Sequence, residues 1–346
     1  MSTGQNIQTD TRELCLPEGR RVGQPGHEIA KRYLLTRLGE IGLRPFRDAA
    51  IELPYTRPHP ETGAATGFVN LVGVIPGRDR DAAPLLVGAH YDSVIDSPCA
   101  DDNATAVAVT LAVAEALAGT EPRRDVVIAI FDAEEPPFFC TDAMGSTRFW
   151  LDHCRGIDFG CVLIMDLIGH DVKLGLGELD EKLPHLRELL FVLGAESHGE
   201  LPDLVQRVAP EVTGLRVFPT LNSYIGDLSD HHAFREGGQP FLFLTCGRGR
   251  YYHDPGDTPD ADDWINFDKV HRVCELVERL LRELDTAALP GGAAPADTVS
   301  FETAMIERAI GPQLPQLLQL SGQDRLETRA HIDRLVAALA GSLLSG

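Results

Sequence analysis

The segment Val126–Cys140 reads VVIAIFDAEEPPFFC. An unbroken apolar run, Val126 to Phe131, ends against Asp132, Glu134 and Glu135. A short continuous apolar run of this kind reads as a buried strand. Adjacent carboxylates repel, and a buried charge is costly unless something compensates it. Taken alone, the acids could mark a strand end that points into water. The segments on either side supply the rest of the reading.

Strand-like runs recur at Gly67–Ile75, Leu85–His90, Val126–Asp132, Cys161–Leu167 and Pro240–Cys246. Helices are expected at Asn103–Ala118, Met144–His153, Leu183–Leu193, Asp230–Glu236 and Asp263–Leu284. An earlier one covers HEIAKRYLLTRLGEIGL, where Ile29, Tyr33, Leu34, Leu38 and Ile41 follow helical spacing and Gly42 is a plausible stop. This alternation predicts an α/β fold, a mainly parallel sheet with helices on both faces. In such a sheet functional residues gather at the carboxyl ends of the strands. That is where the opening segment places its acids.

The stretch DTAALPGGAAPADT, Asp285–Thr298, reads as a linker. It divides the chain into a main unit over 1–285, a linker over 286–298 and a helical C-terminal extension over 299–346. The last helix, Arg325–Leu344, puts Leu326, Ile332, Leu335, Val336, Leu339 and Leu343 on one side. Its polar face is not basic, so it is expected to pack on the core or in a homo-oligomer rather than on a membrane.

Lys plus Arg number 31 against 52 Asp plus Glu, a formal charge of −21 that argues against nucleic acid and anionic membranes as partners. Seven cysteines without a C-x-x-C pair fit reduced thiols better than a disulfide framework. The opening MSTGQNIQTDTRELC has no apolar core for a secretory signal, and Ala104–Ala118 is too short to span a bilayer. A cytoplasmic location is the expectation.

Four further segments end like the first. PLLVGAHYDS stops at His90 and Asp92; SPCADDNATAVAV places Asp101, Asp102 and Asn103 at a helix start; CVLIMDLIGHD holds Asp166; and FLFLTCGRGRYYHDPGDTPD carries Tyr252, His253 and Asp254. Singly, each has a plain explanation as a core histidine, a helix cap or a turn. Jointly, successive strand ends bring histidines and carboxylates to one rim. Imidazole and carboxylate oxygen together suit zinc, manganese or cobalt better than calcium. Two divalent ions, zinc foremost, would explain the surplus of acids, because metal charge reverses the penalty for clustering them.

In that order, GAHYDS, ADDN, FDAEE, MDLIG and YYHDPGDTPD resemble the signature blocks of the di-zinc aminopeptidases of metallopeptidase family 28, over roughly residues 20 to 285. The resemblance implies a three-layer αβα sandwich around a mixed sheet. It also implies His90, Asp102, Glu135, Asp166 and His253 as metal ligands, with Asp102 bridging and joined to Asn103 by a cis peptide. Asp92 would orient His90, Glu134 would be the general base and Tyr252 the oxyanion support. Asp132 reads as an outer-shell or structural residue. The implied activity is removal of the N-terminal residue from peptides with a free amino terminus.

One block departs from the pattern. PPFFCTDAMGS, after the glutamate pair, is longer and less Gly-rich than in many of these aminopeptidases. The related glutaminyl-peptide cyclotransferases, which use one zinc, carry an insertion here too, so a cyclase is the alternative. A non-catalytic binding relative is a third, disfavoured by the intact ligand set. Phe138, Phe139, Tyr224 and Tyr251 are candidates for an apolar substrate wall.

Overall fold

The computed structural model describes residues 3–48, 50–173, 184–289 and 291–344. Among the described residues nine strands form one mixed sheet: β1 (Arg44–Pro45), β2 (Glu52–Pro58), β3 (Ala65–Ile75), β4 (Leu85–His90), β5 (Val126–Phe131), β6 (Cys161–Met165), β7 (Leu189–Leu193), β8 (Arg216–Thr220) and β9 (Phe241–Thr245). Their order is β1-β3-β5-β4-β6-β9-β7-β8, and β2 also pairs with β3. The central strands β5, β4, β6 and β9 are mutually parallel, while β3 and β7 join them antiparallel. Every residue of these four strands is buried. Burial on both faces is why they read as continuous apolar runs rather than alternating ones.

Helix Thr105–Ala118 packs on β4 together with helix Phe267–Thr286, and nearly all of its small side chains are buried. Helices Gly145–Phe149 and His231–Glu236 pack on one another, the second of them also against β6 and β9. The αβα sandwich expected from the resemblance is the architecture found. At β4 the strand order turns, with β5 on one side and β6 on the other. Such a switch point opens a crevice at the carboxyl ends. It sets the ends of β4, β5 and β6 side by side.

Two expectations are corrected. Within the described part of Leu183–Leu193 the expected helix is a single turn, Pro184–Glu188, followed by β7. LLFVL is short enough to suit either element, and pairing with β8 and β9 decides for strand. Ahead of the helix expected in HEIAKRYLLTRLGEIGL, a further helix, Thr3–Leu14, sends Ile7 and Leu14 into the core. The segment read as a linker begins inside helix Phe267–Thr286; its described residues after Thr286 form no helix or strand, but they are held down. Ala293, Ala294 and Ala296 donate backbone hydrogen bonds to Gly238, Ser197 and Glu196. Helix Val299–Ile310 covers β8 at the sheet edge, and Phe301, Met305, Ile332 and Leu335 join the same core as the sheet.

Candidate metal centre

β4 delivers His90 at its last residue, opposite Phe131 in the parallel register with β5. Two residues on, Asp92 turns back beneath the next strand end. Its Oδ1 and Oδ2 accept the backbone N–H groups of Glu134 and Glu135, each at 3.0 Å, while Oδ1 lies 3.4 Å from His90 Nδ1. One carboxylate therefore fixes the glutamate pair and lies beside the His90 imidazole. Ala133 between Asp132 and Glu134 takes a positive φ of 54°, unusual for a residue with a side chain, and the turn separates Asp132 from the pair.

Asp102 is the hub. Its Oδ1 is 3.4 Å from His90 Nε2 and its Oδ2 3.4 Å from His253 Nε2. Asp166 Oδ1 lies 3.6 Å from His90 Nε2, and Glu135 Oε2 3.2 Å from His253 Nε2. The donors thus fall into two groups, His90–Asp102–Asp166 and Asp102–Glu135–His253, which share Asp102. The peptide bond from Asp102 to Asn103 is cis. All five residues that the resemblance named as ligands are brought together.

At 3.2–3.6 Å these contacts lie at or beyond the long end of hydrogen bonding, and the centre has ligand atoms left over. Both ring nitrogens of His90, Glu135 Oε1 and Asp166 Oδ1 are buried without a hydrogen-bond partner among the described residues. Buried polar atoms are normally satisfied, so each exception needs an explanation. Ligand atoms converging within 4.8 Å, one from each residue, explain one of the His90 nitrogens and the open carboxylates, and the donor set suits divalent zinc. Burial, reinforced by Asp102, pushes Glu135 up to about 8. Burial opposes charge on His253, yet Asp102 and Glu135 outweigh it and raise its pKa to about 10. Glu134 is raised well above the usual carboxylate range, chiefly by burial.

The profile of peptidase family M28 matches residues 70–277, which contain the whole centre. The chain belongs to family M28. Its membership makes it a metal-dependent peptidase. An Escherichia coli relative, the uncharacterized protein YfbL, is 28% identical over 222 residues, 58% of this chain and 67% of that one. Two other curated relatives are much longer, and the chain spans 9% and 23% of them. Among solved structures, an Acidobacteriales bacterium glutaminyl cyclase superposes with a TM-score of 0.63 at 20% identity, over 82% of this chain and 94% of that one. The Legionella pneumophila LapA aminopeptidase gives 0.62 at 16% identity, over 82% and 72%. These two likenesses are likenesses of fold.

Beside the M28 centre lies a cavity of about 140 Å³. Phe139, Leu167, Leu228 and Phe243 supply apolar wall, and Glu134, Tyr252 and His253 face the same space. Of the four aromatic candidates only Phe139 lines it. Phe138 packs edge-on against Phe68, Tyr251 against Trp264, and the Tyr224 hydroxyl bonds Asp333. Tyr252 stacks on His253 with ring centroids 3.8 Å apart.

Asp132 stands outside the centre. His27 Nε2, Val69 N and Ala133 N lie 2.7–2.8 Å from its oxygens, so its work is structural. Sequence reasoning passed over Asp230, which precedes helix His231–Glu236 without capping it and is fully buried, both oxygens unpartnered among the described residues. Burial raises it to about 7. It passed over Asp257 as well, whose carboxylate accepts the backbone N–H groups of Asp101 and Asp102 at 2.8 and 3.1 Å and so seats the hub. Both stand in short polar strings, SDHH and HDPGD, that read as cap and turn.

Proposed function

We propose that the protein is an aminopeptidase that removes the N-terminal residue of peptides, with two divalent ions, zinc foremost, held by His90, Asp102, Glu135, Asp166 and His253. The observation that carries this is the division of the Asp102 carboxylate, one oxygen toward each histidine-carboxylate group. When bound, such ions polarise a scissile carbonyl and lower the pKa of a water toward about 7.

The chain supplies the rest. Glu134 lies at the cavity, where burial raises its carboxyl above the usual range, the direction a proton shuttle requires. It takes a proton from the attacking water at its carboxylate and returns it to the leaving amine as the C–N bond breaks. Asp92 keeps the pair in place through the two backbone hydrogen bonds. The Tyr252 hydroxyl stabilises the oxyanion that develops on the substrate carbonyl. The N-terminal side chain enters between Phe139, Leu167, Leu228 and Phe243. A cavity of about 150 Å³ accommodates a benzene ring, so the space suits a Leu- or Phe-sized group. The substrate amine sits among the carboxylates, which favour its positive charge.

Cyclisation of N-terminal glutamine is the second reading. The longer block after the glutamate pair favours it, because its Pro136 and Phe139 line the cavity. Metal-replete protein offered aminoacyl, dipeptide and N-terminal glutaminyl substrates separates the two. Hydrolysis of apolar aminoacyl substrates with about two ions per chain is expected. Cyclisation alone, with one ion, overturns the proposal. Tyr252→Phe sharpens the test, since loss of one oxyanion donor slows turnover by roughly 10²–10³-fold. A loss of only a few-fold would leave Tyr252 as packing for His253.

A further inference from the structure

Arg20 is among the largest side chains that the protein buries completely, and the chemistry proposed for the centre leaves it unused. Its Nε donates to the Tyr91 carbonyl at 2.7 Å, and its Nη1 to those of Leu14 and Pro98 at 2.7 and 2.6 Å. Nη2 donates to the Cys99 carbonyl at 2.9 Å and lies 3.5 Å from that of Asp102. Tyr91 stands between His90 and Asp92, and Cys99 begins the turn that delivers the hub. The guanidinium thus grips both ends of the loop that joins the β4 strand end to Asp102. The Arg20 backbone holds the same loop between those ends. Its N–H donates to the Ser93 hydroxyl at 2.7 Å, and the Ser93 N–H donates to its carbonyl at 3.3 Å. Gly19 sits at a φ of 70°, and a Cβ there would lie 2.5 Å from the Ile95 carbonyl oxygen, so the two segments meet backbone to backbone. The remaining partner, Leu14, closes helix Thr3–Leu14.

A guanidinium presents its donors in a rigid planar fork, so the carbonyls it holds have their mutual positions set by it. A Lys ammonium keeps the charge but not the fork. We propose that Arg20 is a positioning residue of the metal centre: it sets His90 against Asp102, and through Leu14 it makes the N-terminal helix part of the centre's support. This rests on the metal-binding part of the proposed function and not on the choice between hydrolysis and cyclisation. Groups that orient metal ligands from outside are worth roughly 10- to 100-fold in metal affinity. A purely structural counterpart stands in the same chain. Arg124, also buried, donates to the carbonyls of Ala83, Asp285, Ala287 and Leu289, but it precedes β5, at the opposite end of that strand from the centre.

The test measures zinc affinity, by competition with a chromophoric chelator, in wild type, Arg20→Lys and Arg124→Lys, with circular dichroism to show that each is folded. Both substitutions are expected to lower the denaturant midpoint of the metal-free protein. Only Arg20→Lys is expected to loosen zinc, by roughly tenfold or more, while Arg124→Lys binds it as wild type does. Unchanged zinc affinity in folded Arg20→Lys, or an equal loss in both variants, sinks the proposal and leaves Arg20 as a residue of the fold. Hydrogen exchange on wild type reads the same link without a substitution, and it decides the matter if Arg20→Lys does not fold. Zinc is expected to slow exchange in the loop 91–101 and, through Leu14, in helix Thr3–Leu14, and to leave residues 285–289 unmoved. A helix whose exchange does not respond to zinc overturns the link. Wild type that binds no zinc overturns the metal-binding reading and this proposal together, whereas a defect confined to Arg124→Lys or shared by both variants overturns this proposal alone.

Discussion

Asp132 and the pair Glu134–Glu135 stand two residues apart at the end of one strand, yet they are treated in opposite ways. Asp132 is closed, with His27 and two backbone N–H groups against its oxygens. Glu135 keeps one oxygen buried and unpartnered among the described residues, and it faces His253, Asp102 and the cavity. A third buried acid, Glu302 in the C-terminal extension, is closed like Asp132, both oxygens held by Arg329. A satisfied buried carboxylate ties elements together. One left open beside histidines is a ligand or a base. Burial alone does not separate the two, and the census of partners does.

The largest effect should come from the open pair. Glu134→Gln keeps the shape and removes the proton carrier. An expected fall in kcat of about 10²-fold or more, with metal content nearly unchanged, matches what general-base catalysis contributes. Glu135→Gln should instead lose metal, because an amide is a poorer ligand than a carboxylate. Elemental analysis beside steady-state kinetics checks both, and exchanged phenotypes would reverse the roles within the pair.

The closed acids should answer in stability. Arg329 Nη2 and Nη1 reach Glu302 at 2.7 and 2.9 Å, and the same guanidinium donates to Thr298 and to the Tyr224 hydroxyl. Arg329→Met strands the Glu302 carboxylate in the core. Breaking a buried pair from one side costs about 3 kcal/mol or more. Denaturant midpoints should show this loss with metal content unchanged, and Glu302→Leu in the same chain should recover most of it. A variant as stable as wild type would mean that Glu302 is not closed by Arg329.

How much of this the sequence carried follows from the same contrast. The central strands were readable, because strands buried on both faces leave apolar runs; the acids and histidines at their ends marked a rim, and the five candidate ligands among them came from the family resemblance. β7 was not, since LLFVL fits a helix as well as a strand and only its neighbours decide. β8, RVFPT, carries a proline that argues against a central strand and is tolerated at the edge it occupies. Asp230 and Asp257 looked like ordinary cap and turn residues. Their weight comes from burial and from what they face, which no local spacing reports.

The smallest expected effect tests whether Asp132 is closed by a charged partner. Burial opposes charge on His27, but the Asp132 carboxylate outweighs it and holds the imidazole pKa above its ordinary 6.5. A raised folded-state pKa gives stability that is fully present below the unfolded value, near 6.5, and is lost as pH rises through the folded one. Replacing His27 by Gln leaves a neutral donor. The gap between wild type and His27→Gln should therefore be widest near pH 6 and narrow on the alkaline side, by roughly 1 kcal/mol, the difference between a charge-assisted and a neutral hydrogen bond. The acids and histidines of the centre titrate in both proteins, so subtracting one stability curve from the other isolates His27. A gap that does not change with pH would show His27 to be neutral, and Asp132 would then be a buried charge held by backbone N–H groups and a neutral imidazole.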